Sequence, residues 1–257
     1  MNPQMTYRRY LRNPSAAEIA AIRTDEMRSK PIPPVEKPFL PDRPAIDLAP
    51  IAELDFGQMK LIDAIRQRRS RRKYSSTPLS TKELSFLLWA TQGVKSLTPS
   101  GQGSIRTVPS GGGLHPFETY LVVMNVEGLD TGLYRYLAVE HKLYLERKCA
   151  GSELFQIGAI CDGQNFVATS AVVFIWTVRC ARTEWRYGKD SLKDLLISVG
   201  HICQNLYLSC ETIGAGTCAI LAYQQDALER FIGVDGDEEI PLYLAPVGRI
   251  GKQSEEH

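Results

Sequence analysis

The order of hydrophobic patterns along the 257 residues predicts an α+β fold. Two observations carry that prediction. Helical and strand periodicities are interspersed without the strict alternation that βαβ crossovers impose. The strand-like runs, such as ETYLVVMN at 118–125 and SAVVFIWTV at 170–178, are short, apolar and rich in β-branched or aromatic residues. With 44% hydrophobic and 23% charged residues the chain has the composition of an ordinary globular protein, long enough to bury a sizeable core. One main domain is expected over residues 58–252. An extension (1–57) precedes it and a short tail (253–257) follows.

The elements follow in order. Residues 15–29 predict a short helix, opened by Ser15 and Glu18 at capping-box spacing. Seven of the 15 prolines then fall between Pro31 and Pro50. Proline fixes φ and has no N–H to donate, so this stretch is an extended arm rather than a helix or central strand. Phe39, Leu40, Ile46 and Leu48 give it apolar anchors and favour an arm that wraps a partner subunit over a disordered linker. Residues 59–68 place Leu61, Ile62 and Ile65 on one helical face. Ser80 and Glu83 form a second capping box, with Leu84, Leu87 and Leu88 inward and Gly93 as the stop. Strands are expected at 118–125, 133–137, 142–146, 170–178, 217–221 and 241–247, and further helices at 152–160 and 225–232. The longest helix spans about 190–213, where Leu192, Leu195, Leu196, Val199, Cys203, Leu206 and Cys210 repeat at helical spacing. Gly200 inside it costs roughly 1 kcal/mol relative to Ala, and points to close approach by a second helix or a ligand. Gly214 ends it.

Lys and Arg (30) balance Asp and Glu (29), which argues against nucleic-acid or membrane partners. The first 15 residues lack the apolar segment of a signal peptide, and no run approaches the ~20 apolar residues of a membrane span. Six cysteines without CxxC spacing read as buried reduced thiols rather than a metal site, which points to the cytoplasm.

Four segments carry candidate chemistry. Arg68-Arg69-Ser70-Arg71-Arg72-Lys73-Tyr74 supplies planar guanidinium forks and a hydroxyl suited to phosphate; a solvated basic surface or a nucleic-acid patch would look the same. Pro109-Ser110-Gly111-Gly112-Gly113-Leu114-His115-Pro116 removes three successive Cβ atoms, so backbone can lie against a flat ligand, and its two prolines make it a shaped turn. His115 reads equally as structural or functional. Gly214–Ala222 (GAGTCAILA) is a weak glycine signal, without the spacing of a dinucleotide fingerprint or a P-loop. Arg249, at the close of the last strand, gains interest as a second phosphate ligand beside Arg68.

In this order the four segments resemble the nitroreductase superfamily, over about residues 59–250. The resemblance is closest to the branch of SagB-type dehydrogenases that act on thiazole- and oxazole-forming peptides. RTVPSGGGLHPFETYLVV, GHICQNLYLSCETIGAGTCAI and PLYLAPVGR are the segments most similar to that branch. The resemblance implies a mixed, mainly antiparallel sheet flanked by helices, built around a homodimer interface with FMN. It implies that Arg68, Arg69, Ser70 and Arg249 hold the FMN phosphate and ribityl chain. Arg72 would sit at the pyrimidine end of the ring, stabilising negative charge there. Pro109, Ser110, Gly111, Gly112 and Gly113 would come from the other subunit. Ile220, Leu221 and Ala222 would present backbone N–H groups to flavin N5 and O4.

One departure stands out. Where the peptide dehydrogenases resemble one another in a Lys-Tyr pair before the long helix, this chain has Arg186-Tyr187. Both are the candidate catalytic residues, yet arginine cannot shed a proton near neutral pH as a lysine base does. The bland alternative for Arg186 is an ion pair with Glu184 or Asp190. The function expected is an FMN-dependent oxidoreductase using NADH or NADPH and an electron-poor acceptor in a ping-pong scheme. The alternatives are oxidation of azoline rings in a modified peptide, or a non-catalytic flavin-binding protein.

Overall fold

The computed structural model describes residues 7–40, 43 and 45–251. The strands are β1 (Ala45–Asp47), β2 (Val94–Leu97), β3 (Ser104–Arg106), β4 (Phe117–Val123), β5 (Gly132–Leu137), β6 (Lys142–Lys148), β7 (Val172–Arg179), β8 (Ala215–Thr217) and β9 (Glu239–Arg249). Seven of them form one sheet in the order β1-β6-β5-β4-β7-β9-β8, and β2 and β3 pair separately. Every named strand pair is antiparallel. The one parallel contact among the described residues is an isolated bridge from Leu79 to Val126.

Eight α-helices accompany the sheet among the described residues: α1 (Ala16–Ala21), α2 (Leu61–Gln67), α3 (Thr81–Gln92), α4 (Gly151–Leu154), α5 (Gln156–Ile160), α6 (Cys180–Tyr187), α7 (Leu192–Thr212) and α8 (Gln225–Ile232). The sheet divides the apolar side chains by strand alternation. On one face Leu121, Val123, Phe174, Trp176 and Val178 pack with Leu84, Leu87 and Leu88 of α3 and Val199, Cys203 and Leu206 of α7. On the other, Tyr120, Val122, Val173 and Ile175 pack with residues of α4, α5 and α8. Covering both faces explains why β4 and β7 read as continuous apolar runs.

Several boundaries differ from the sequence reading. α1 stops at Ala21, because Glu26 N donates to Trp185 O at 2.8 Å and so draws residues 24–29 into a turn against α6. The helix expected at 152–160 is split into α4 and α5. β8 spans Ala215–Thr217 rather than 217–221, and Ile220 makes only an isolated bridge. α6 and strands β1, β2 and β3 were not anticipated. Leu61, Ile62 and Ile65 form the expected stripe, yet are exposed, at 65%, 51% and 52%. Leu192 and Leu196 are likewise exposed. A Cβ at Gly200 would meet no atom within 4 Å, so no neighbour approaches it among the described residues.

The proline-rich arm lies against the chain's own sheet. Its carbonyls, which no strand neighbour pairs, accept hydrogen bonds from three arginines. Arg182 Nε donates to Pro34 O (2.8 Å), Arg106 Nη2 to Val35 O (2.9 Å), and Arg135 to Lys37 O and Pro38 O (2.7 and 3.1 Å). Lys37 N donates to Glu118 Oε1 (2.7 Å), and Lys37 Nζ to Tyr120 OH and Glu239. Burial alone would raise the Glu118 carboxyl pKa; Arg182, at 2.5 Å, with Arg135 and Arg106, holds it below the ordinary value. Guanidinium donors thus do for a proline segment what strand neighbours cannot. The six cysteines are unpaired, and all but Cys180 are buried.

Candidate active site

The predicted residues gather into two groups. The first surrounds Tyr207, on the C-terminal half of α7. α2 ends at Arg68, whose guanidinium lies 5.3 Å from the Tyr207 ring centroid. Ser70 Oγ and Tyr207 OH are 3.0 Å apart, and Tyr207 OH accepts from Ala219 N at 2.8 Å. Arg71 N donates to Thr217 O at 2.9 Å, which aligns the basic segment with β8. A Cβ on Gly216 would lie 2.5 Å from Arg71 Cγ, and one on Gly248 would lie 2.7 Å from Tyr74 Cγ. Both glycines are therefore demanded by the passage of residues 71–74 over the sheet. Arg69, Ser70 and Arg72 are exposed and Arg68 half-buried. Among the described residues no carboxylate lies within ion-pair distance of Arg68, Arg69 or Arg72.

Arg249 reaches this group with its backbone, since Ser75 N donates to Arg249 O at 2.9 Å. Its guanidinium is committed elsewhere, to Glu83 at 2.7 Å and to Ile213 O at 2.5 Å. Ile220 N is also committed, donating to Leu244 O at 2.8 Å. Leu221 (71% exposed) and Ala222 protrude beyond it, and among the described residues neither amide has an intramolecular acceptor.

The second group sits at the N-terminal end of α7. Ser110 opens a 3-10 turn over Gly111–Gly113, with φ of 59° at Gly112 and 68° at Gly113, values that favour glycine. Ser110 Oγ accepts from His115 N at 3.1 Å. Burial, and then Arg106, push the His115 pKa down to about 4, so the ring is neutral near pH 7. Exposed Pro109 precedes the turn. A Cβ on Gly111 would lie 2.1 Å from Asp194 Oδ1, and one on Gly112 would lie 2.8 Å from Tyr187 OH and 2.9 Å from Arg186 Nη1. Arg186 Nη1 donates to Gly112 O at 3.2 Å. The glycines thus let the two candidate catalytic side chains close onto the loop.

Arg186 does have a structural partner, Glu26 rather than Glu184; the Asp190 side chain lies outside the described residues. Nη2 and Nε reach the Glu26 carboxylate at 2.8–3.2 Å. The Arg186 hydrogen bond holds the Glu26 carboxyl pKa below the ordinary value. Trp185 Nε1 donates to Lys30 O at 3.0 Å, a second tie between α6 and the N-terminal segment. Arg186, Tyr187 and Asp194 line a cavity of about 1060 Å³ whose far wall is Tyr10–Met27. Burial raises the Asp194 pKa, while the Gly111 N–H and His201 oppose it.

Sequence reasoning missed Tyr207, Asp194 and Glu26. Tyr207 carried a signal, as a phenol beside an apolar helical stripe. Asp194 lies in the first turn of α7, where an acidic side chain is ordinary and marks no site. Glu26 is 160 positions from its partner, and no local pattern reports that contact. Along α7, Asp194 and Tyr207 are separated by roughly 20 Å at a rise of about 1.5 Å per residue. One chain therefore carries both groups at opposite ends of the same helix.

The Nitroreductase family model matches residues 65–249. A Methanocaldococcus jannaschii protein described as a nitroreductase is 34% identical over 197 residues, 76% of this chain and 93% of its own length. A solved Ralstonia eutropha structure, also described as a nitroreductase, superposes with a TM-score of 0.67 at 26% identity. That match covers 87% of this chain and all of the other. The trifolitoxin-processing protein TfxB of Rhizobium leguminosarum bv. trifolii is 24% identical over 75% of this chain, which spans 53% of that relative. Among the described residues no helix is long and apolar enough to cross a membrane.

Proposed function

The chain belongs to the nitroreductase family, and from that premise we propose an FMN-dependent oxidoreductase that works as a homodimer. It would take reducing equivalents from NADH or NADPH and deliver them, in ping-pong order, to an electron-poor organic acceptor. The observation that carries this reading is the division of the site between the two ends of α7. A second copy is the simplest way to bring the Gly111–Gly113 group of one chain to the Arg68 group of another. The exposed apolar residues Leu61, Ile62, Ile65, Leu196 and Ile197 on α2 and α7 offer the surface for it.

The residues fit the cofactor on two counts. Arg68, Arg69 and Arg72 present guanidinium groups without carboxylate partners among the described residues, as a phosphorylated ligand requires. The glycine turn offers open backbone at Gly113, where a Cβ would meet no atom within 4 Å. Arg68, Arg69 and Ser70 would hold the phosphate and ribityl chain. Arg249 would join them by exchanging its Glu83 partner. Arg72 would place positive charge beside the ring. Ile220 would fix the strand edge through Leu244, leaving Leu221 and Ala222 to donate to the ring. Pro109, Ser110 and Gly111–Gly113 would close the site from the partner chain. Bound FMN would supply the hydride-accepting and hydride-donating chemistry. Tyr187 is the side chain able to hold a proton for the acceptor. Arg186 keeps its charge across the physiological range, so it stabilises developing negative charge and does not act as a base.

The likeness to a trifolitoxin-processing protein favours a second reading, the SagB-type oxidation of azoline rings in a peptide. Tyr187 suits it; Arg186 in place of lysine weighs against it. The free thiols fit a cytoplasmic setting, and the balanced net charge fits a small-molecule or peptide substrate rather than nucleic acid. The test is FMN uptake by the purified protein, followed by anaerobic titration with NADH and NADPH and sedimentation to establish the dimer. Arg68→Ala should lose flavin on gel filtration while keeping its fold. Protein that takes up no FMN refutes the reading. Bound FMN that no reductant bleaches leaves a flavin-binding protein without turnover.

A further inference from the structure

We infer that Glu26, in the N-terminal extension, is a specificity-determining residue that tunes the cavity to uncharged acceptors; this rests on the oxidoreductase reading and narrows its substrate class. Three cationic side chains line the cavity, Arg12, Arg186 and Lys193, against two acidic ones, Glu18 and Asp194. Glu26 supplies the missing negative charge through its ion pair with Arg186 (2.8 Å), and the lining is then balanced. Lys193 is held by Asn13 Oδ1 (2.7 Å), an amide that leaves its charge in place.

The pairing is built. Glu26 is fixed by its own backbone, whose N–H donates to Trp185 O (2.8 Å). Trp185 is tied to Lys30 O, and the Arg186 guanidinium lies 5.6 Å from the Trp185 ring centroid. Arg186 is thereby aimed, through Nη1, at Gly112 O. Glu26 and Trp185 both meet one guanidinium, and the family match begins only at residue 65. The extension therefore contributes to the site a charge that the matched domain does not contain. With Glu26 in place an acceptor meets a compensated arginine; without it, a bare cation on the cavity wall that favours carboxylate-bearing ligands.

The test is calorimetric binding of benzoate and benzamide, a charged and an uncharged ligand of the same shape, to FMN-supplied protein at low and high salt. Glu26→Gln should tighten benzoate by roughly two- to five-fold, the range of a partly exposed ion pair, and leave benzamide unchanged. The gain should fade at high salt. Glu26→Asp should behave as the parent, and Arg186→Gln added to Glu26→Gln should erase the gain. Should Glu26→Gln not fold, Arg186→Gln alone must weaken benzoate relative to benzamide. Equal changes in both ligands, or none, overturn the inference. Flavin content, measured on the same samples, separates the two failures: colourless parent protein sinks the oxidoreductase reading, whereas fully loaded protein without charge discrimination sinks only the role of Glu26.

Discussion

Glu36 turns the proline-rich arm into a pH-dependent element of stability. It is partly buried, its Oε2 accepting from Val139 N at 3.1 Å. Desolvation, with Glu118 and Glu140 adding to it, raises its pKa from 4.5 to about 7 against the opposing Val139 hydrogen bond and Arg106. The folded pKa is therefore above the unfolded one. The folded state holds the proton more tightly, so the contribution is fully present below pH ~4.5 and is lost as pH rises through about 7. At about 1.4 kcal/mol per pKa unit the whole shift corresponds to about 3 kcal/mol; residual solvent contact reduces this to about 1–3 kcal/mol. Glu36→Gln keeps an acceptor for Val139 and cannot ionise. Urea unfolding of both proteins between pH 4 and 8 should give stabilities that nearly coincide at the acid end. Toward pH 8 the variant should become the more stable, by about 1–3 kcal/mol. A difference that stays constant across the range would refute the reasoning, because only a titrating carboxyl makes the gap depend on pH.

Two further outcomes follow from buried contacts. Gly216→Ala places a methyl 2.5 Å from Arg71 Cγ, and should destabilise by about 1–3 kcal/mol and loosen the basic segment. An unchanged melting temperature would show that residues 71–74 yield at no cost. Glu118→Gln strips the charge from a carboxylate that shares with Arg182 a site only 4% exposed on either side, and should cost about 3–5 kcal/mol in chemical denaturation. Adding Arg182→Met should recover part of that loss; strictly additive losses would show that the two side chains do not act as a pair.

Local rules were legible in the sequence, and long-range ones were not. Both capping boxes form as their spacing requires. Ser80 N reaches Glu83 Oε2 at 2.8 Å and Glu83 N reaches Ser80 Oγ at 3.2 Å, and Ser15 and Glu18 do the same. Capping fixes where a helix begins, however, and not where it ends. α1 ends early because a backbone carbonyl some 160 residues away captures Glu26. The helical periods of α2 and α7 were visible for the same local reason, but period reports that a face is apolar, not what covers it. Hence Leu61, Ile62 and Ile65 were found and their exposure was not. The glycine-bearing segments were found because missing Cβ atoms are written in the sequence. Which side chains would occupy that space, Asp194 against Gly111 and Arg71 against Gly216, depends on tertiary approach alone. β2 and β3 escaped because KSLTPSGQGSIR is polar and glycine-bearing, without an apolar alternation to mark a strand.

The exposed apolar stripe and the divided site have one physical origin under the dimeric reading. A helix as long as α7 separates its ends by more than a flavin ring can bridge, so groups anchored at both ends cannot converge within one chain. Antiparallel approach of a second α7 would reverse that separation, bringing the Asp194 end of one copy beside the Tyr207 end of the other. Such an approach needs an apolar surface and room for close helix contact. Leu196, Ile197 and the open Cα of Gly200 lie between those ends. On this argument the glycine at 200, which costs helix stability inside a single chain, is explained by a neighbour that the single chain does not contain. Gly200→Leu should then leave the monomer fold intact and weaken both the dimer, read by sedimentation, and flavin retention, read by absorbance. A variant that stays dimeric and fully flavinated would show that the helices meet elsewhere.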